Sequence, residues 1–394
     1  MWCFVKIREP IDPVIDACVF HEWPSILSLT AHMDEGWAEL IRRDGDLTGP
    51  LRLGSNWLYR NPDGGNKARS AYPVDGPAGS SLELTAEQLF GSGRRHRVVL
   101  SYDDGLLVTG SNFHYAARSA VQAANDWSVA EWLERDERLF GLVLISTSLP
   151  DAAAAEIRRA GRHPKMVGVA LGANGLGRPF GHPVYHPIYE AAAELGLPLI
   201  LQLGSDAMTD QIVPPTGGGL ANTYGEYRSL SAHPAMSHLG SFMTEGVFDR
   251  FPDLKILIVG TGAAWIPGYL WRLDYWYKNS SLEVPGMTHP PTEYFRRHVR
   301  VATYGFEWPA QPQRMVRLLR AMPGLESVIL YTSGYPNYDW EDCTLIEARL
   351  PDEWRRRVMY ENAADFFRWP DDIRVDKGSE PAARDEHSTA QERL

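Results

Sequence analysis

The stretch Leu195-Gly196-Leu197-Pro198 marks the place where a helix-like segment, 186–196, gives way to a β-rich run, 198–204. Glycine just past a helix and proline soon after it are the signals with which helices end. A helix that stops and leads directly into a strand is typical of parallel strands joined by crossover helices. This stretch therefore predicts an α/β fold.

The same alternation runs through most of the 394-residue chain. The β-rich runs are 14–20, 97–101 with 105–110, 139–146, 166–172, 198–204, 254–261, 299–304 and 327–333. The helix-like segments between and after them are 113–135, 151–161, 186–196, 234–250, 264–278, 310–321 and 351–368. Eight strands alternating with helices predict a (β/α)₈ TIM barrel.

Two stretches depart from the alternation. Residues 42–84 are rich in Gly, Pro, Asn, Asp and Ser, which indicates a long loop inserted after strand one and lying over the barrel mouth. Residues 370–394 are charged and contain no aromatic residue, which indicates a flexible or subunit-contacting tail. We expect one barrel domain over 1–369, followed by this tail.

Composition excludes several classes of partner. The net charge of −11 disfavours nucleic acid, which needs a basic face to neutralise phosphates. No apolar run is long enough to span a membrane, and the first residues lack the apolar core of a signal peptide. The three cysteines have no zinc-type spacing, so we expect neither a disulfide framework nor a cysteine metal site, and a cytoplasmic location.

A series of motifs along 12–368 resembles the amidohydrolase-related family of barrel enzymes, which includes aminocarboxymuconate semialdehyde decarboxylase and other non-oxidative decarboxylases and hydrolases. The motifs are Val14-Ile15-Asp16-Ala17, Asn125-Asp126-Trp127, the runs 136–141, 187–198 and 245–255, Trp265-Ile266-Pro267, and Glu361-Asn362-Ala363-Ala364. They stand in the order in which the family has them, and they imply the same TIM barrel.

The resemblance also implies a divalent metal at the carboxyl ends of the strands. Its ligands would be a pair from strand one, a His after strand five and an Asp after strand eight. This chain departs from the family at each of these places. The residues that stand there are Cys18, Phe20, Gln202 and Gly334, and Gly260 replaces an acid found after strand six in close relatives. We therefore expect no metal in this chain, and a vestigial pocket.

Other residues could rebuild a site in this pocket. The candidates are His21, Tyr304 and Asn337, together with Cys18 and Gln202. Strand alternation places residue 21 outward unless the strand ends or bulges there. Further groups near strand ends that could bind a metal are Glu22, His114, Asp206, His238, Glu307 and Asp339. Cys18 could act as a nucleophile, although a base for it cannot be located, and a buried structural thiol is the alternative.

The segment 265–278 places six aromatic side chains in one predicted helix, more than a single inward stripe can bury. Aromatic side chains anchor protein interfaces, although cover by the 42–84 loop is an alternative. The predicted interface residues are Trp265, Tyr269, Trp271, Tyr275 and Trp276.

Two functions remain open. The first is a non-catalytic subunit, or pseudoenzyme, that forms a hetero-oligomer with a paralogous metal-binding barrel. Within the family this resembles two-component monooxygenases such as the 2-aminoisobutyrate hydroxylase, which implies a dinuclear Mn or Fe centre, or another divalent metal such as Zn, in the partner. The second is an independent hydrolase or decarboxylase with a rebuilt active site.

Overall fold

The computed structural model describes residues 10–44, 61, 65–110, 113–172, 176–202, 221–322 and 324–369. Eight parallel strands pair in chain order from β1 to β8. They are β1 Val14–His21, β2 Arg95–Tyr102, β3 Leu139–Leu144, β4 Met166–Leu171, β5 Leu199–Gln202, β6 Ile256–Val259, β7 Val299–Ala302 and β8 Ile329–Leu330.

Backbone hydrogen bonds bring the last strand back to the first. Ala17 N donates to the carbonyl of Tyr331 at 3.0 Å, and Phe20 N donates to that of Tyr335 at 2.7 Å. These bonds join β1 to the end of β8, so the sheet curls into a nearly closed barrel. The predicted (β/α)₈ TIM barrel is confirmed.

Helices follow the strands on the outside. The α-helices are α1 Glu35–Asp44, α2 Leu82–Phe90, α3 His114–Ser128, α4 Pro150–Ala160, α5 His186–Leu195, α6 Tyr224–Ser229, α7 Ala232–Thr244, α8 Val247–Arg250, α9 Ile266–Ser280, α10 Pro291–His298, α11 Gln313–Arg320, α12 Cys343–Arg349, α13 Asp352–Arg356 and α14 Asn362–Phe366. As the sequence predicts, α5 ends at Gly196, whose φ of +67° is a left-handed conformation that glycine adopts at little cost.

The core lies inside the barrel and between the strands and helices. Strands β1, β4, β5, β6 and β7 are buried at every residue. Strands covered on both faces are expected to be continuous apolar runs, as in Leu199–Gln202 and Ile256–Val259.

Some sequence expectations were wrong in detail. The run 105–110 is not a strand but lies in a 3₁₀ helix, Asp104–Gly110, in which the hydroxyl of Thr109 donates to the carbonyl of Leu106. The predicted helix 234–250 is two helices, α7 and α8, because Gly246 takes a left-handed φ of +69° between them. Helices α1 and α2 were not predicted; α2 begins after Ser81, whose hydroxyl accepts from Leu84 N at 3.2 Å.

The described part of the predicted 42–84 loop crosses the end of β8. Lys67 forms an antiparallel bridge with Asn337, Ala68 N donates to the carbonyl of Pro336, and Tyr338 N donates to that of Asn66. Most of 45–64 and the whole predicted tail, 370–394, lie outside the described residues. Among the helices in the described ranges, none combines the length and the apolar character that crossing a membrane requires.

Candidate active site at the barrel mouth

The carboxyl ends of the strands define the mouth, which is where TIM-barrel enzymes place their active sites. Phe20 stands near the end of β1, Gln202 ends β5, Tyr304 follows β7 and Gly334 follows β8. All four are buried, with at most 7 % of Phe20, Gln202 or Tyr304 exposed. The structure therefore brings together the positions that the sequence comparison selected.

The ring of Tyr304 lies at this mouth, next to Phe20 and Gly334. Its centroid lies 6.2 Å from that of Phe20 in an edge-to-face arrangement. It also lies against Gly334, where an added Cβ would approach three Tyr304 ring atoms closer than 3.0 Å, and faces Gly260, where a Cβ would stand 3.7 Å from the ring. The two glycines are therefore the surfaces on which the Tyr304 ring packs.

The amide of Gln202 is hydrogen-bonded inside the barrel through both its oxygen and its nitrogen. Its Oε1 accepts a hydrogen bond from the hydroxyl of Ser101 at 2.6 Å, and its Nε2 donates to the carbonyl of Tyr102 at 3.0 Å. Both bonds tie β5 to β2. An amide held in this way is structural, and a weak ligand even when free.

Cys18 is fully buried within β1. Burial, and secondarily the nearby Asp16, raise the pKa of its thiol well above the usual value. A nucleophilic cysteine needs a lowered pKa, because the thiolate is the reactive form. This environment therefore favours the structural alternative for Cys18 over the nucleophilic one.

A lysine ammonium lies near the Phe20 ring. Lys67 forms an ion pair with Asp103, just after β2, and its Nζ donates to Oδ1 of Asn337 at 2.9 Å. The same ammonium lies 5.9 Å from the centroid of the Phe20 ring. Lys67 thus connects the loop after β1, the end of β2 and the end of β8.

A second ion pair lies at the hydroxyl of Tyr304. Arg228, in α6, donates to Oδ2 of Asp339 at 2.8 Å, and the Tyr304 hydroxyl donates to Oδ1 of the same carboxylate at 3.0 Å. Burial raises the pKa of Tyr304 well above its ordinary value, an effect that the nearby Arg228 only partly offsets. Tyr304 therefore stays protonated and acts as a hydrogen-bond donor.

His21 lies outside the mouth, between the barrel and α3. Its Nδ1 bonds to the carbonyl of Ser101 at 2.7 Å and its Nε2 to the hydroxyl of Ser128 at 2.8 Å. The imidazole packs against the rings of Trp127 and Trp132, each centroid 5.3 Å away. Burial lowers its pKa to about 4, so His21 is neutral at physiological pH.

The other candidate ligands are dispersed. Both oxygens of Glu307 face the turn before α9, where Oε2 accepts from the backbone N of Ala263 and Ala264. The ring of His238 accepts from Phe180 N at 3.1 Å. Asp206 lies outside the described residues.

The aromatic residues of α9 divide into two sets. Trp265 and Tyr269 pack against the core, where the Tyr269 hydroxyl donates to the carbonyl of Met236. Trp271, Tyr275 and Trp276 are 53 %, 62 % and 53 % exposed. Only the second set presents an apolar surface to the outside in the described structure.

The residues at the mouth do not fit the metal that the family resemblance implies. Within the described ranges, no three or more His, Cys, Asp and Glu side chains converge on a point where they could hold a cation. A structural or catalytic metal needs at least three protein donors. At the expected positions, Phe20 and Gly334 offer no donor atom, and the amide of Gln202 is already bonded to Ser101 and Tyr102.

Fold and site together define a TIM barrel whose mouth holds ion pairs and aromatic rings. The sequence model of the family described as Amidohydrolase matches residues 105–369. This match covers more than half of the chain, so the chain belongs to this amidohydrolase family.

Solved structures with the same fold include decarboxylases. The 5-carboxyvanillate decarboxylase from Sphingomonas paucimobilis is 23 % identical, with a TM-score of 0.62 over 90 % of this chain and 99 % of that one. The enzyme of the same name from Novosphingobium aromaticivorans, complexed with manganese and a nitrobenzoic acid, is 19 % identical, with a TM-score of 0.65 over 91 % and 97 %. The 2,6-dihydroxybenzoate decarboxylase from Rhizobium is 17 % identical, with a TM-score of 0.59 over 91 % and 99 %.

Sequence reasoning missed three residues of the mouth. Lys67 and Asp103 lie in loops without a recognisable motif, and Arg228 belongs to a short helix beyond β5. The antiparallel pairing of Lys67 with Asn337, 270 positions away, has no local signal. The sequence offers Asp339 as a possible metal ligand, whereas in the structure its carboxylate accepts hydrogen bonds from Arg228 and Tyr304.

Proposed function

We propose that this protein is an amidohydrolase-type hydrolase or decarboxylase with a rebuilt active site that does not use the family's metal ligands. The observation that carries the proposal is the placement of two ion pairs, Lys67 with Asp103 and Arg228 with Asp339, around the rings of Phe20 and Tyr304. Family membership and the likeness to decarboxylases support the same class.

The substrate we propose is a small aromatic carboxylate. Lys67 and Arg228 supply the positive charge that a carboxylate needs. The aromatic rings of Phe20 and Tyr304 would contact the apolar part of the substrate. Asp103 and Asp339 hold the two cations in place between turnovers.

In a decarboxylase of this kind, a proton is added to the ring carbon that carries the carboxylate. The bond from that carbon to the carboxylate then breaks, its electron pair returns to the ring, and carbon dioxide leaves. Lys67 is the group that we assign to proton delivery, because its ammonium stands over the aromatic floor formed by Phe20 and is oriented by Asn337. Lys67 then takes up a proton from bulk solvent, so the overall reaction consumes one proton for each carbon dioxide released.

The test uses the purified full-length chain with 2,6-dihydroxybenzoate, 5-carboxyvanillate and related hydroxybenzoates. We expect carbon dioxide release that persists after treatment with a chelator and is lost in Lys67→Ala. Arg314→Ala is the matched control, because Arg314 is an exposed cation whose side chain, among the described residues, bonds only to Gln311. Absence of turnover across the panel, alone or with a partner supplied, would overturn the proposal.

A second candidate is the non-catalytic subunit of a hetero-oligomer. The observation that favours it is the Tyr304 ring, which packs against Gly334 and fills the place where the family resemblance puts a metal ligand. In this case the paralogous barrel would carry the divalent metal, a dinuclear Mn or Fe centre of a monooxygenase in the closest analogy. The exposed side chains of Trp271, Tyr275 and Trp276 would contact that partner.

Co-expression separates the two candidates. The subunit proposal expects a second barrel gene beside this one, co-purification of both chains, and activity and metal only in the complex. Stoichiometric metal with turnover in the lone chain contradicts it. Under either candidate, the single barrel domain over 1–369, the tail over 370–394 and the cytoplasmic location remain predictions.

A further inference from the structure

We infer that Tyr304 restricts position 334 to glycine and thereby keeps an acidic metal ligand out of the strand-eight position of this barrel. The inference applies whether the chain is an enzyme or a subunit, because it concerns the space and the donors at the mouth. It assigns to Tyr304 the role of the residue that keeps a side chain out of position 334.

The first argument is space. A Cβ built on Gly334 would overlap Cδ2, Cε2 and Cγ of Tyr304, all closer than the 3.0 Å that real Cβ atoms keep. An aspartate at 334 would add a carboxyl group to this Cβ. The Tyr304 ring and a side chain at 334 therefore exclude each other.

The second argument is that the ring cannot easily move away. The Tyr304 backbone N donates to the hydroxyl of Thr332 at 2.9 Å, which fixes the start of the side chain against the end of β8. At its far end the hydroxyl donates to Asp339, which Arg228 also holds. The edge of Phe20 closes a further side. Three independent contacts thus keep the ring over Gly334.

The third argument is the backbone of Gly334 itself. Its φ of +73° lies in the left-handed region, which residues other than glycine rarely adopt. A substitution at 334 therefore meets a conformational cost as well as the ring. Gly93 provides the control, because its φ is +70° and a Cβ there would meet nothing within 4 Å.

The first experiment compares thermal unfolding of Gly334→Ala and Gly93→Ala in the full chain. Both variants place alanine at a similar left-handed φ, and only the first meets the Tyr304 ring. We expect the Tm to fall by several degrees more for Gly334→Ala. In a Tyr304→Gly background, we expect Gly334→Ala to lower the Tm no more than Gly93→Ala does.

An equal fall in Tm for the two alanine variants would overturn the inference. So would a Gly334→Ala effect that is as large without the Tyr304 ring as with it. The comparison of Gly334→Ala with Gly93→Ala needs no substitution at 304, so it stays decisive if Tyr304→Gly fails to fold.

The second experiment measures Mn²⁺ retention by dialysis and by loss of the electron paramagnetic resonance signal of aqueous Mn²⁺. Two proteins are compared, both carrying Cys18→His, Phe20→His, Gln202→His and Gly334→Asp, with and without Tyr304→Gly. We expect stoichiometric retention only when Tyr304→Gly is present. Equal retention in the protein that keeps Tyr304 would overturn the inference. Because no turnover is measured, failure here is distinguishable from failure of the proposed enzyme activity.

Discussion

The hydroxyl of Tyr304 donates to Oδ1 of Asp339 at 3.0 Å, and Arg228 donates to the other oxygen of the same carboxylate at 2.8 Å. Asp339 therefore joins the residue after β7 to a helix that follows β5. The bond orients the Tyr304 hydroxyl at the mouth, whereas the packing of its ring depends on Phe20 and Gly334. Orientation and packing can thus be separated by substitution.

Tyr304→Phe removes the hydroxyl and keeps the ring. We expect a loss of about 1 kcal/mol in the free energy of unfolding, the usual net contribution of one hydrogen bond. We also expect a higher KM for a carboxylate substrate, because Asp339, which orients Arg228, loses its hydrogen bond from Tyr304. Urea unfolding and steady-state kinetics measure the two effects.

Tyr269→Phe is the control for this prediction, since its hydroxyl also donates to a partner, the carbonyl of Met236, away from the strand ends. It should lose comparable stability and leave KM unchanged. A KM that is unaffected in Tyr304→Phe would remove Tyr304 from substrate binding.

His21 predicts a pH dependence of stability. Burial lowers its pKa from 6.5 to about 4. Between these two pH values, His21 binds a proton in the unfolded chain but not in the folded chain. The contribution of neutral His21 to the free energy of unfolding is therefore fully present above pH 6.5 and is lost as the pH falls toward 4. A shift of this size corresponds to about 3 kcal/mol.

His21→Gln should remove this part of the decline in unfolding free energy between the two pKa values, measured by urea titration at a series of pH values. His233→Gln is the control, because His233 is exposed. If the pH profile of His21→Gln retains the full slope of the unsubstituted protein, another group carries the effect.

The barrel was predictable from sequence because strand and helix signals agree at most joins. Three apolar residues, 199–201, follow Gly196 and Pro198 directly, and with Gln202 they form the buried strand β5. The error at 105–110 has a physical cause: Gly105 lies so close to Trp23 and Tyr102 that a Cβ there would clash, and this packing fixes a tight turn. Tertiary contacts of this kind leave no periodicity in the sequence.

The site was predictable only in part. The substituted positions 18, 20, 202 and 334 could be located because the family's motifs fix them in the sequence. The ion pairs near them could not, since Lys67 and its partner Asn337 are 270 positions apart and Arg228 and Asp339 are 111 positions apart. The packing of Tyr304 on Gly334 also depends on two separate strand ends meeting, which the sequence alone does not specify.

Arg95 and Asp16 form a buried pair whose loss should be costly. Arg95 Nε lies 3.4 Å from Oδ2 of Asp16, and both side chains are at most 1 % exposed. The other oxygen of Asp16 accepts from Ser333 N, next to Gly334. Burial raises the pKa of Asp16, with Arg95 opposing the rise.

Arg95→Met should therefore destabilise the fold by about 3–5 kcal/mol, because it leaves a carboxylate buried without its cation. Adding Asp16→Asn should recover a large part of this loss, since the amide oxygen still accepts from Ser333 N. Arg158→Met is the control, because its pair with Glu194 is exposed and an exposed pair contributes little to stability. Urea unfolding of the variants measures the difference, and no recovery in the double variant would show that Asp16 is not the group left unpaired.

Cys18→Ala tests the nucleophilic alternative. The thiol is fully buried with a raised pKa, so we expect activity to remain nearly unchanged and stability to fall by about 1 kcal/mol for the small loss of buried volume. Activity per folded molecule is the measurement. A drop of several orders of magnitude with an intact fold would restore Cys18 as a catalytic residue.

The aromatic surface of α9 makes the last prediction. Trp271 and Trp276 are each 53 % exposed, and Trp276 packs edge-to-face on Tyr275, with centroids 5.4 Å apart. Exposed indoles that are paired in this way cost free energy in water and anchor interfaces when they are covered. Trp271→Ala or Trp276→Ala should therefore weaken association of this chain with its partner subunit by about 2 kcal/mol. Sedimentation velocity over a concentration series measures this, and Tyr115→Ala is the control, because Tyr115 is 77 % exposed and belongs to α3. Unchanged sedimentation in both tryptophan variants would show that this aromatic surface is not an interface.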